Sequence, residues 1–376
     1  MELYGVTDKY LKWITSFLTD RYQIVFLNNV LSYKTKVISG VPQGSVLGPL
    51  LFIIFINDLS TQITHANIFT FADDTKLVLS INSISDKISL QNDLNSVIQW
   101  SKNNNMVLNE NKFELLVHSV IRENPSLALL NNFQYNVSSN FVLTPSEFVK
   151  DLGILICPDL DWELHINKIS IKATKICGWA LNIFKTRNKT VMLTLFNSLA
   201  RPILEYCPQL WDPVKVKLID SIEQVQRSFT RKIENMKDFN YWTRLQKLQI
   251  TSLQRRREML ILIMVWKIKN NMCPNNIDLQ FSQNRYNGKV KAVLKPMPRK
   301  SGKLLTCYEN SFIIKAAKLW NTLPQSISET SNLNVFRKKL DEFLKLFPDE
   351  PPVRGYFHQT KNSILNYPNL HESDPT

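Results

Sequence analysis

Two adjacent carboxylates, Asp73 and Asp74, interrupt an otherwise apolar stretch of the chain. Ile68 and Phe69 precede them and the apolar run 77–79 follows, which predicts a β-hairpin with the acidic pair at its turn. Neighbouring carboxylates repel each other unless a cation or a proton relieves the repulsion. Phosphoryl transfer with two Mg²⁺ ions about 4 Å apart would use such a pair, because magnesium prefers hard oxygen ligands. A capped surface turn is the simpler interpretation, and both stay open on this feature alone.

A second stretch, residues 39–52, holds three glycines and two prolines. Because glycine has no Cβ, these glycines allow backbone conformations that other residues avoid, and they let a large ligand approach the main chain. Pro49 is typical of a first helical position, and the apolar run 50–56 predicts a buried helix over 49–59. That run is too short to span a bilayer. A purely structural turn before a core helix explains the stretch equally well.

Three motifs in a fixed order carry a family resemblance. They are Ser-Gly-Val-Pro-Gln-Gly-Ser-Val-Leu-Gly-Pro-Leu-Leu-Phe at 39–52, Ile-Asn-Asp-Leu at 56–59 and Phe-Ala-Asp-Asp-Thr-Lys-Leu at 71–77. Together they resemble the reverse transcriptase of non-LTR (LINE-type, jockey-like) retrotransposons. The resemblance implies RNA-templated DNA synthesis by two-metal nucleotidyl transfer. It also implies an RNA template, a DNA primer and deoxynucleotides as partners, with Mg²⁺, or Mn²⁺ in its place, held by Asp73 and Asp74.

The same resemblance assigns further site residues. The template and the incoming nucleotide would be lined by Gly40, Pro42, Gln43, Gly44, Phe71 and Ala72. Leu108-Asn109-x-x-Lys112 is similar to the motif that follows the catalytic carboxylates in this family. Lys112 would then protonate the departing pyrophosphate, because an ammonium both lowers its charge and donates a proton. A solvated lysine at the edge of a strand over 113–118 is an equally good interpretation.

Downstream, residues 148–156 predict a strand broken at Gly153, and this segment resembles the part of reverse transcriptases that grips the primer. Asp151 stands where the family usually has an aromatic residue, a departure from the primer-gripping pattern. Asp161-Trp162-x-x-His165-Ile166 opens a helical region, as it does in family members. We interpret His165 as a packed helix residue rather than a ligand or a base.

Basic residues accumulate in the second half of the chain. Apolar spacing predicts helices from 166 to about 270, and an acid-free basic strap, 285–303, follows. We expect a thumb-like surface that contacts nucleic-acid phosphates through Arg227, Arg231, Arg255, Arg256, Lys295, Arg299 and Lys300. Because long basic side chains also cover ordinary solvated helix faces, that alternative remains open.

Composition limits the classes of function. The 376 residues carry a formal net charge of +14, which favours a polyanionic partner such as nucleic acid. No apolar run reaches the length of a membrane-spanning helix, and the N-terminus lacks a signal-peptide core. Five scattered cysteines without zinc spacing predict reduced thiols and an intracellular protein, cytoplasmic or nuclear.

These observations predict an α+β protein with a partial right-hand polymerase palm, an antiparallel sheet plus helices, followed by a helical thumb and a C-terminal helical region. The segments are a palm at 1–118, a connector with primer-grip-like strands at 119–161, a thumb-like region at 162–270, a basic region at 271–347 and a disordered tail at 348–376. The family resemblance extends over roughly 10–345.

One expected feature of a polymerase palm is missing from the sequence. The family places a third metal-binding carboxylate on an upstream strand of the form Phe-x-Asp-x-x-x-Ala-Phe-Asp, and no such segment occurs here. Asp8 and Asp20 stand in other contexts. We therefore expect a chain truncated at its N-terminus and catalytically impaired when alone. The alternatives are a non-catalytic nucleic-acid-binding remnant of a mobile element and an unrelated soluble protein without salt-dependent affinity for nucleic acid.

Overall fold

The computed structural model describes residues 1–118, 133–273, 279–283, 290–292, 311–347, 349 and 363–366. The chain divides into two compact units. The N-terminal unit comprises Met1–Leu115 and Ile121–Ser146, and the helical unit comprises Leu116–Val120 and Glu147–Thr376. None of the helices in these described ranges combines the length and the apolar character that crossing a membrane requires.

The N-terminal unit alternates helices with short antiparallel hairpins. Its α-helices are α1 (Asp8–Leu18), α2 (Leu47–Ile56) and α3 (Ile84–Asn103), and 3₁₀ turns cover Glu2–Tyr4, Asn57–Gln62 and Glu110–Lys112. Its strands are β1 (Arg21–Gln23), β2 (Phe26–Leu27), β3 (Val30–Leu31), β4 (Thr35–Val37), β5 (Asn67–Phe71), β6 (Asp74–Val78), β7 (Tyr135–Ser138) and β8 (Phe141–Leu143). They pair as β1 with β4, β2 with β3, β5 with β6 and β7 with β8. Helices with small antiparallel sheets confirm the predicted α+β class.

Local chemistry explains where helix α3 begins and ends. The Ser83 hydroxyl accepts a hydrogen bond from the Asp86 amide at 3.2 Å, and the Asp86 carboxylate accepts one from the Ser83 amide at 2.8 Å. This reciprocal capping box fixes the first turn. Asn105 adopts a left-handed φ of +52°, a conformation that ends a helix. The predicted helix over 88–108 therefore exists, but it both starts and stops earlier.

A small apolar core holds the N-terminal unit together. Ile56, Leu59, Val97 and Trp100 are buried in it, and Ile68 and Leu77 of the β5–β6 hairpin pack against it. The Trp100 indole N–H also donates to Asp58 Oδ1 at 3.0 Å, which joins α3 to the 3₁₀ turn after α2. One face of the hairpin is thereby fixed to both helices.

The expectation that helix α2 is buried all round is wrong. Leu51 and Ile56 are buried, but Leu50, Ile53 and Phe55 are 53%, 57% and 42% exposed. Since the core of this unit is small, one helix face suffices to cover it and the opposite face stays in solvent.

The predicted strand over 113–118 is also wrong. Among the described residues, Leu115 makes one isolated parallel bridge with Pro145 in place of a strand ladder. The Ser146 amide donates to the Leu115 carbonyl at 2.8 Å. An apolar run becomes a strand only where a partner strand is in register beside it, and the segment 113–118 obtains a single bridge.

The helical unit begins with one short hairpin, β9–β10, and continues with helices, between which the β11–β12 pair is inserted. Its strands are β9 (Val149–Asp151), β10 (Ile154–Ile156), β11 (Phe281–Gln283) and β12 (Val290–Ala292). Its helices are α4 (Glu163–Ile183), α5 (Lys189–Leu195), α6 (Arg201–Leu204), α7 (Pro208–Trp211), α8 (Val216–Thr230), α9 (Tyr241–Leu248), α10 (Leu253–Lys269), α11 (Phe312–Asn321), α12 (Gln325–Ser328) and α13 (Leu333–Lys345), with a π turn at Phe196–Ala200 and a 3₁₀ turn at Ile364–Asn366. The helical pattern predicted from 166 to about 270 is confirmed.

Two apolar clusters stabilise the helical unit. The first lies among α4, the π turn and α8 and includes Ile166, Phe196 and Phe229; the second lies among α10, α11 and α13. In the second, the rings of Trp266 and Phe336 stack with centroids 5.7 Å apart. Burying aromatic side chains of this size makes a large contribution to stability.

Candidate active site

The acidic pair lies at the tip of the β5–β6 hairpin. Phe71 pairs with Asp74 across the strands, so Ala72 and Asp73 form a two-residue turn. Ala72 has a left-handed φ of +52°, where a residue with a Cβ is disfavoured by about 1 kcal/mol. A tight turn in this conformation fixes the backbone that carries both carboxylates. Strained residues of this kind cluster at functional sites, which makes the tip a candidate site.

The hairpin has two different faces. Ile68 and Leu77 pair with each other and face the core. Because cross-strand partners share a face and neighbours alternate, Asp74 lies on the opposite face. The side chains of that face are all exposed: Asn67, Phe69, Phe71, Asp74, Lys76 and Val78. The second carboxylate of the pair therefore borders an exposed aromatic surface that a large ligand can reach.

The chemistry of the pair fits a hydrated magnesium ion. Asp73 and Asp74 are both exposed, and their oxygens are the hard ligands that Mg²⁺ selects while it retains several waters. Across the described part of the chain, no three His, Cys, Asp or Glu side chains gather closely enough to hold a metal ion. The donor set thus matches one partly hydrated ion better than a fully enclosed pair of ions.

Asp93 of α3 holds the segment that leads into this hairpin. Its carboxylate, 1% exposed, accepts hydrogen bonds from the backbone amides of Thr64 (3.1 Å), His65 (3.0 Å) and Ala66 (2.6 Å) and from the Thr64 hydroxyl (3.2 Å). Burial raises the pKa of the Asp93 carboxyl, but these hydrogen bonds together lower it by a larger amount, so the pKa lies below its usual value. A charged helix residue thereby anchors the start of β5.

Sequence reasoning overlooked Asp93, although a signal was present. The residue stands seven positions before Trp100 and four before Val97, both core residues, so a carboxylate interrupts the apolar stripe of α3. A charge on that stripe must find buried partners, and the amides before β5 supply them.

The glycine-rich stretch forms a shaped loop before α2. Gly40 and Gly44 both have φ of +76°, a conformation that favours glycine. The Ser45 hydroxyl donates to the Pro42 carbonyl at 2.7 Å and accepts from the Gly48 amide at 3.0 Å, which joins the turn to the helix. Gln43 and Gly44 are exposed, while Pro42 is half-buried. The predicted loop and its backbone conformation are therefore present.

Arg21 fixes the position of this loop, and sequence reasoning did not identify it. Its guanidinium donates to the carbonyls of Gly40 (2.5 Å) and Ser39 (3.3 Å) through Nη2, and to the Leu18 carbonyl (2.9 Å) through Nε. One side chain thus connects the end of α1 with the base of the β1–β4 pair and the loop. The only sequence signal was an arginine at the start of a run, 21–38, whose alternation around Asn28-Asn29 is typical of a β-hairpin.

Lys112 ends the 3₁₀ turn Glu110–Lys112 and is exposed. The Asn109 side chain caps the turn by accepting from the Asn111 amide at 3.1 Å. An exposed ammonium on a short capped turn suits both interpretations, a proton donor to a ligand and a solvated lysine. Its catalytic role stays a prediction.

The basic residues predicted to contact phosphates differ in their surroundings. Arg231 is exposed, and Arg227 is half-buried, donates to Gln224 Oε1 at 3.0 Å and lies 5.0 Å from the centre of the Tyr241 ring. Both can reach a ligand in solvent. Their contact with nucleic acid is not tested by these positions and stays a prediction.

Arg255 requires a correction. It is 1% exposed inside helix α10, with Glu258 4.0 Å away and Phe347 beneath its guanidinium, so it cannot reach a phosphate in this conformation. Arg256 is half-buried and forms a bidentate pair with Glu205, one bond of which measures 2.8 Å, so two of its N–H donors are engaged and its contact with phosphates stays a prediction. Three residues of the predicted strap, Lys295, Arg299 and Lys300, lie outside the described residues.

Comparison with known proteins identifies the class of the N-terminal part. Residues 2–154 match the family model described as reverse transcriptase (RNA-dependent DNA polymerase). This range contains the acidic hairpin, the glycine-rich loop and Lys112. Residues 2–154 therefore belong to the reverse transcriptase family.

The relatives specify the branch of that family as the non-LTR, LINE-type reverse transcriptases. The chain is 28% identical over 233 residues to the RNA-directed DNA polymerase from mobile element jockey of Drosophila melanogaster, which covers 58% of this chain and 24% of the relative. It is 24% identical over 232 residues to the probable RNA-directed DNA polymerase from transposon X-element of the same species, covering 60% of this chain and 25% of the relative. The chain thus spans about a quarter of the length of these curated relatives.

Proposed function

We propose that this chain carries part of the active site of an RNA-directed DNA polymerase and that Asp73 and Asp74 bind Mg²⁺ or Mn²⁺ there. One observation carries the proposal. Both carboxylates are exposed on a tight, conformationally strained hairpin tip within the segment that matches the reverse transcriptase family. In the bound state, divalent metal would stabilise the attacking and leaving oxygens of a nucleotidyl transfer.

The residues of the chain take separate roles in this proposal. Asp73 and Asp74 supply oxygen ligands, and the hairpin keeps them at a fixed place. The exposed Gln43 and the left-handed backbone at Gly40 and Gly44 shape the pocket for template and incoming nucleotide. Lys112 donates a proton to the departing pyrophosphate. Preorganised groups of this kind act mainly by placing charge where the reaction needs it.

The N-terminal unit takes the role of a polymerase palm and the helical unit that of a thumb. Arg227 and Arg231 of the helical unit contact phosphates of the template–primer duplex, which adds affinity without sequence specificity. An RNA template, a DNA primer and deoxynucleotides are the partners that the relatives' printed activity suggests.

We further propose that the chain is strongly impaired when it acts alone. Two carboxylates at the tip balance the charge of two divalent ions poorly, and the described residues offer no third ligand beside them. Removing even one weaker catalytic donor typically costs about 3 kcal/mol of transition-state stabilisation. Loss of a metal ligand therefore lowers the rate by a larger factor.

Metal binding and catalysis can be tested separately. Fe²⁺ replaces Mg²⁺ and, with ascorbate and peroxide, cuts the backbone beside its site. We expect cleavage next to the β5–β6 tip in the wild type and none in Asp73→Asn or Asp74→Asn. Glu114→Gln, which removes an exposed carboxylate elsewhere in the same unit, should leave cleavage unchanged. Cleavage that survives both aspartate changes would show that the metal binds elsewhere.

Primer extension on an RNA template with Mg²⁺ or Mn²⁺ tests the reaction itself. We expect weak incorporation that Asp73→Asn abolishes. Robust incorporation by the wild-type chain would overturn the proposed impairment. Absence of both metal-directed cleavage and incorporation, with nucleic-acid affinity unaffected by Asp73→Asn, would support a non-catalytic nucleic-acid-binding protein.

A further inference from the structure

Residues 21–37 form an exposed β-ribbon that the proposed polymerase chemistry does not use. Strands β1 and β4 make its base, and β2 and β3 make its distal half. Asn28 and Asn29 both have left-handed φ, as a two-residue hairpin turn requires. Every residue from 22 to 36 is exposed, including Tyr22 (51%), Phe26 (65%) and Tyr33 (95%).

The composition of the ribbon and the segment after it is unusual. From Arg21 to Asn57 the chain has no acidic residue, and its charges are Arg21, Lys34 and Lys36. Exposed aromatic side chains beside lysines and without carboxylates suit a polyanionic ligand with flat, stacking groups. Single-stranded nucleic acid has both properties.

The base of the ribbon gathers these groups on one face. Tyr22 pairs with Lys36 across β1 and β4, so their side chains share a face. The Lys34 ammonium lies 4.2 Å from the centre of the Tyr22 ring, which places it on the same face. We call Tyr22, Lys34 and Lys36 the ribbon face. Asp20 meets Lys36 at 3.5 Å in an exposed pair that a phosphate can displace.

The base of the ribbon is joined to the glycine-rich loop of the candidate active site. Arg21, next to Tyr22 along β1, donates to the carbonyls of Ser39 and Gly40 at the start of that loop. Because neighbours along a strand alternate, Arg21 lies on the face opposite Tyr22, so a template path from the ribbon face to the loop would pass around the base of the ribbon.

We propose that the ribbon face binds single-stranded nucleic acid, with a base stacked on Tyr22 and phosphates held by Lys34 and Lys36. The description of the ribbon face as part of the template path rests on the proposed function. The binding of single-stranded nucleic acid to the ribbon face does not depend on it. The distal half, with Phe26 and Leu31 exposed, is apolar enough for a protein contact, but the base combines two cations with an aromatic ring and favours nucleic acid.

The test measures anisotropy of a labelled single-stranded RNA of about 12 nucleotides, within the site size of such proteins. Tyr22→Ser should weaken binding about tenfold, and Tyr22→Phe should restore it because the stacking ring remains. Lys34→Ala with Lys36→Ala should reduce the slope of log affinity against log salt by about 1.4. The matched control, Lys9→Ala with Lys12→Ala on α1, removes the same charge from exposed sites outside the ribbon.

Asp20→Asn offers a change of opposite sign. Asn tolerates the left-handed φ of +48° at this position, and loss of the competing carboxylate should tighten binding. Photocrosslinking of 4-thiouridine RNA should label the ribbon face, and Asp73→Asn should leave both readouts unchanged. Failure of primer extension alone would therefore not affect this inference.

Two results would overturn the inference. The first is that the Tyr22→Ser variant and the Lys34→Ala, Lys36→Ala variant bind RNA with wild-type affinity and salt dependence. The other is concentration-dependent self-association that Tyr22→Ser and Phe26→Ser both abolish while RNA affinity stays unchanged, which would identify the whole ribbon as a protein contact.

Discussion

The helical unit should lose stability in mildly acidic solution because it buries a neutral histidine. His165 in helix α4 is 2% exposed and its ring lies 5.5 Å from that of Trp211. Its Nδ1 accepts a hydrogen bond from the Leu155 amide at 3.3 Å, which couples α4 to β10. This packed position confirms the interpretation of His165 as a core residue. Burial, with a smaller effect from the nearby Lys168 charge, lowers the pKa of His165 from 6.5 to about 4.

The size and sign of the effect follow from that pKa. The unfolded chain takes up a proton near pH 6.5, whereas the folded chain resists protonation of His165 until about pH 4. Between these values the unfolded state binds more protons, so the free energy of unfolding decreases as the pH falls. His165 alone should remove about 2 kcal/mol by pH 5 and about 3 kcal/mol by pH 4. Well below pH 4 its contribution levels off at about 3.4 kcal/mol.

Urea unfolding followed by tryptophan fluorescence, at pH 7 and pH 5, measures this loss. His165→Gln keeps a hydrogen-bond acceptor but does not titrate, so its pH dependence should be smaller than that of the wild type by about 2 kcal/mol. Changing the exposed His118 to Gln serves as the matched control. An NMR titration midpoint of His165 above pH 6, or equal pH dependence in His165→Gln and wild type, would refute the reasoning.

Two further carboxylates should be sensitive to substitution. Asp93→Asn replaces a carboxylate that accepts from three consecutive backbone amides by an amide that also presents N–H donors to them. We expect the free energy of unfolding, measured by chemical denaturation, to decrease by about 3 kcal/mol. An unchanged denaturation midpoint would contradict this expectation. The Asp212 side chain is 5% exposed and accepts from Arg257 Nε at 2.6 Å and from Lys315, so Asp212→Asn should cost about 3–5 kcal/mol because the fully buried Arg257 guanidinium loses its charged partner. Asp341→Asn, in an exposed pair, should cost less than about 1 kcal/mol in the same urea titration, and equal losses would contradict the burial argument.

Much of the candidate site could be predicted because its determinants are local. The turn at Asn28–Asn29, the loop with Gly40 and Gly44, and the acidic hairpin tip all arise from residues close together in sequence. Backbone preferences of glycine and asparagine and the alternation of apolar residues specify such structures without distant contacts.

Burial, by contrast, depended on which surfaces the fold brings together. Arg255 in helix α10 and Arg231 directly after helix α8 have the same side chain, yet the first is in the core and the second is in solvent. Helix α2 is apolar on every side, and only its packing against a small core decides that Leu50 and Ile53 are exposed. A one-dimensional pattern cannot specify how much partner surface exists for each face.

The sequence by itself determined the family of residues 2–154, the acidic pair at a hairpin tip and the shape of the glycine-rich loop, because each depends on residue types at fixed short spacing. Only the tertiary structure decided that Asp93 anchors the segment entering β5 and that Arg21 holds the loop carbonyls. Hydrogen bonds between residues 18 to 29 positions apart form only after the chain has folded, so no local pattern specifies them.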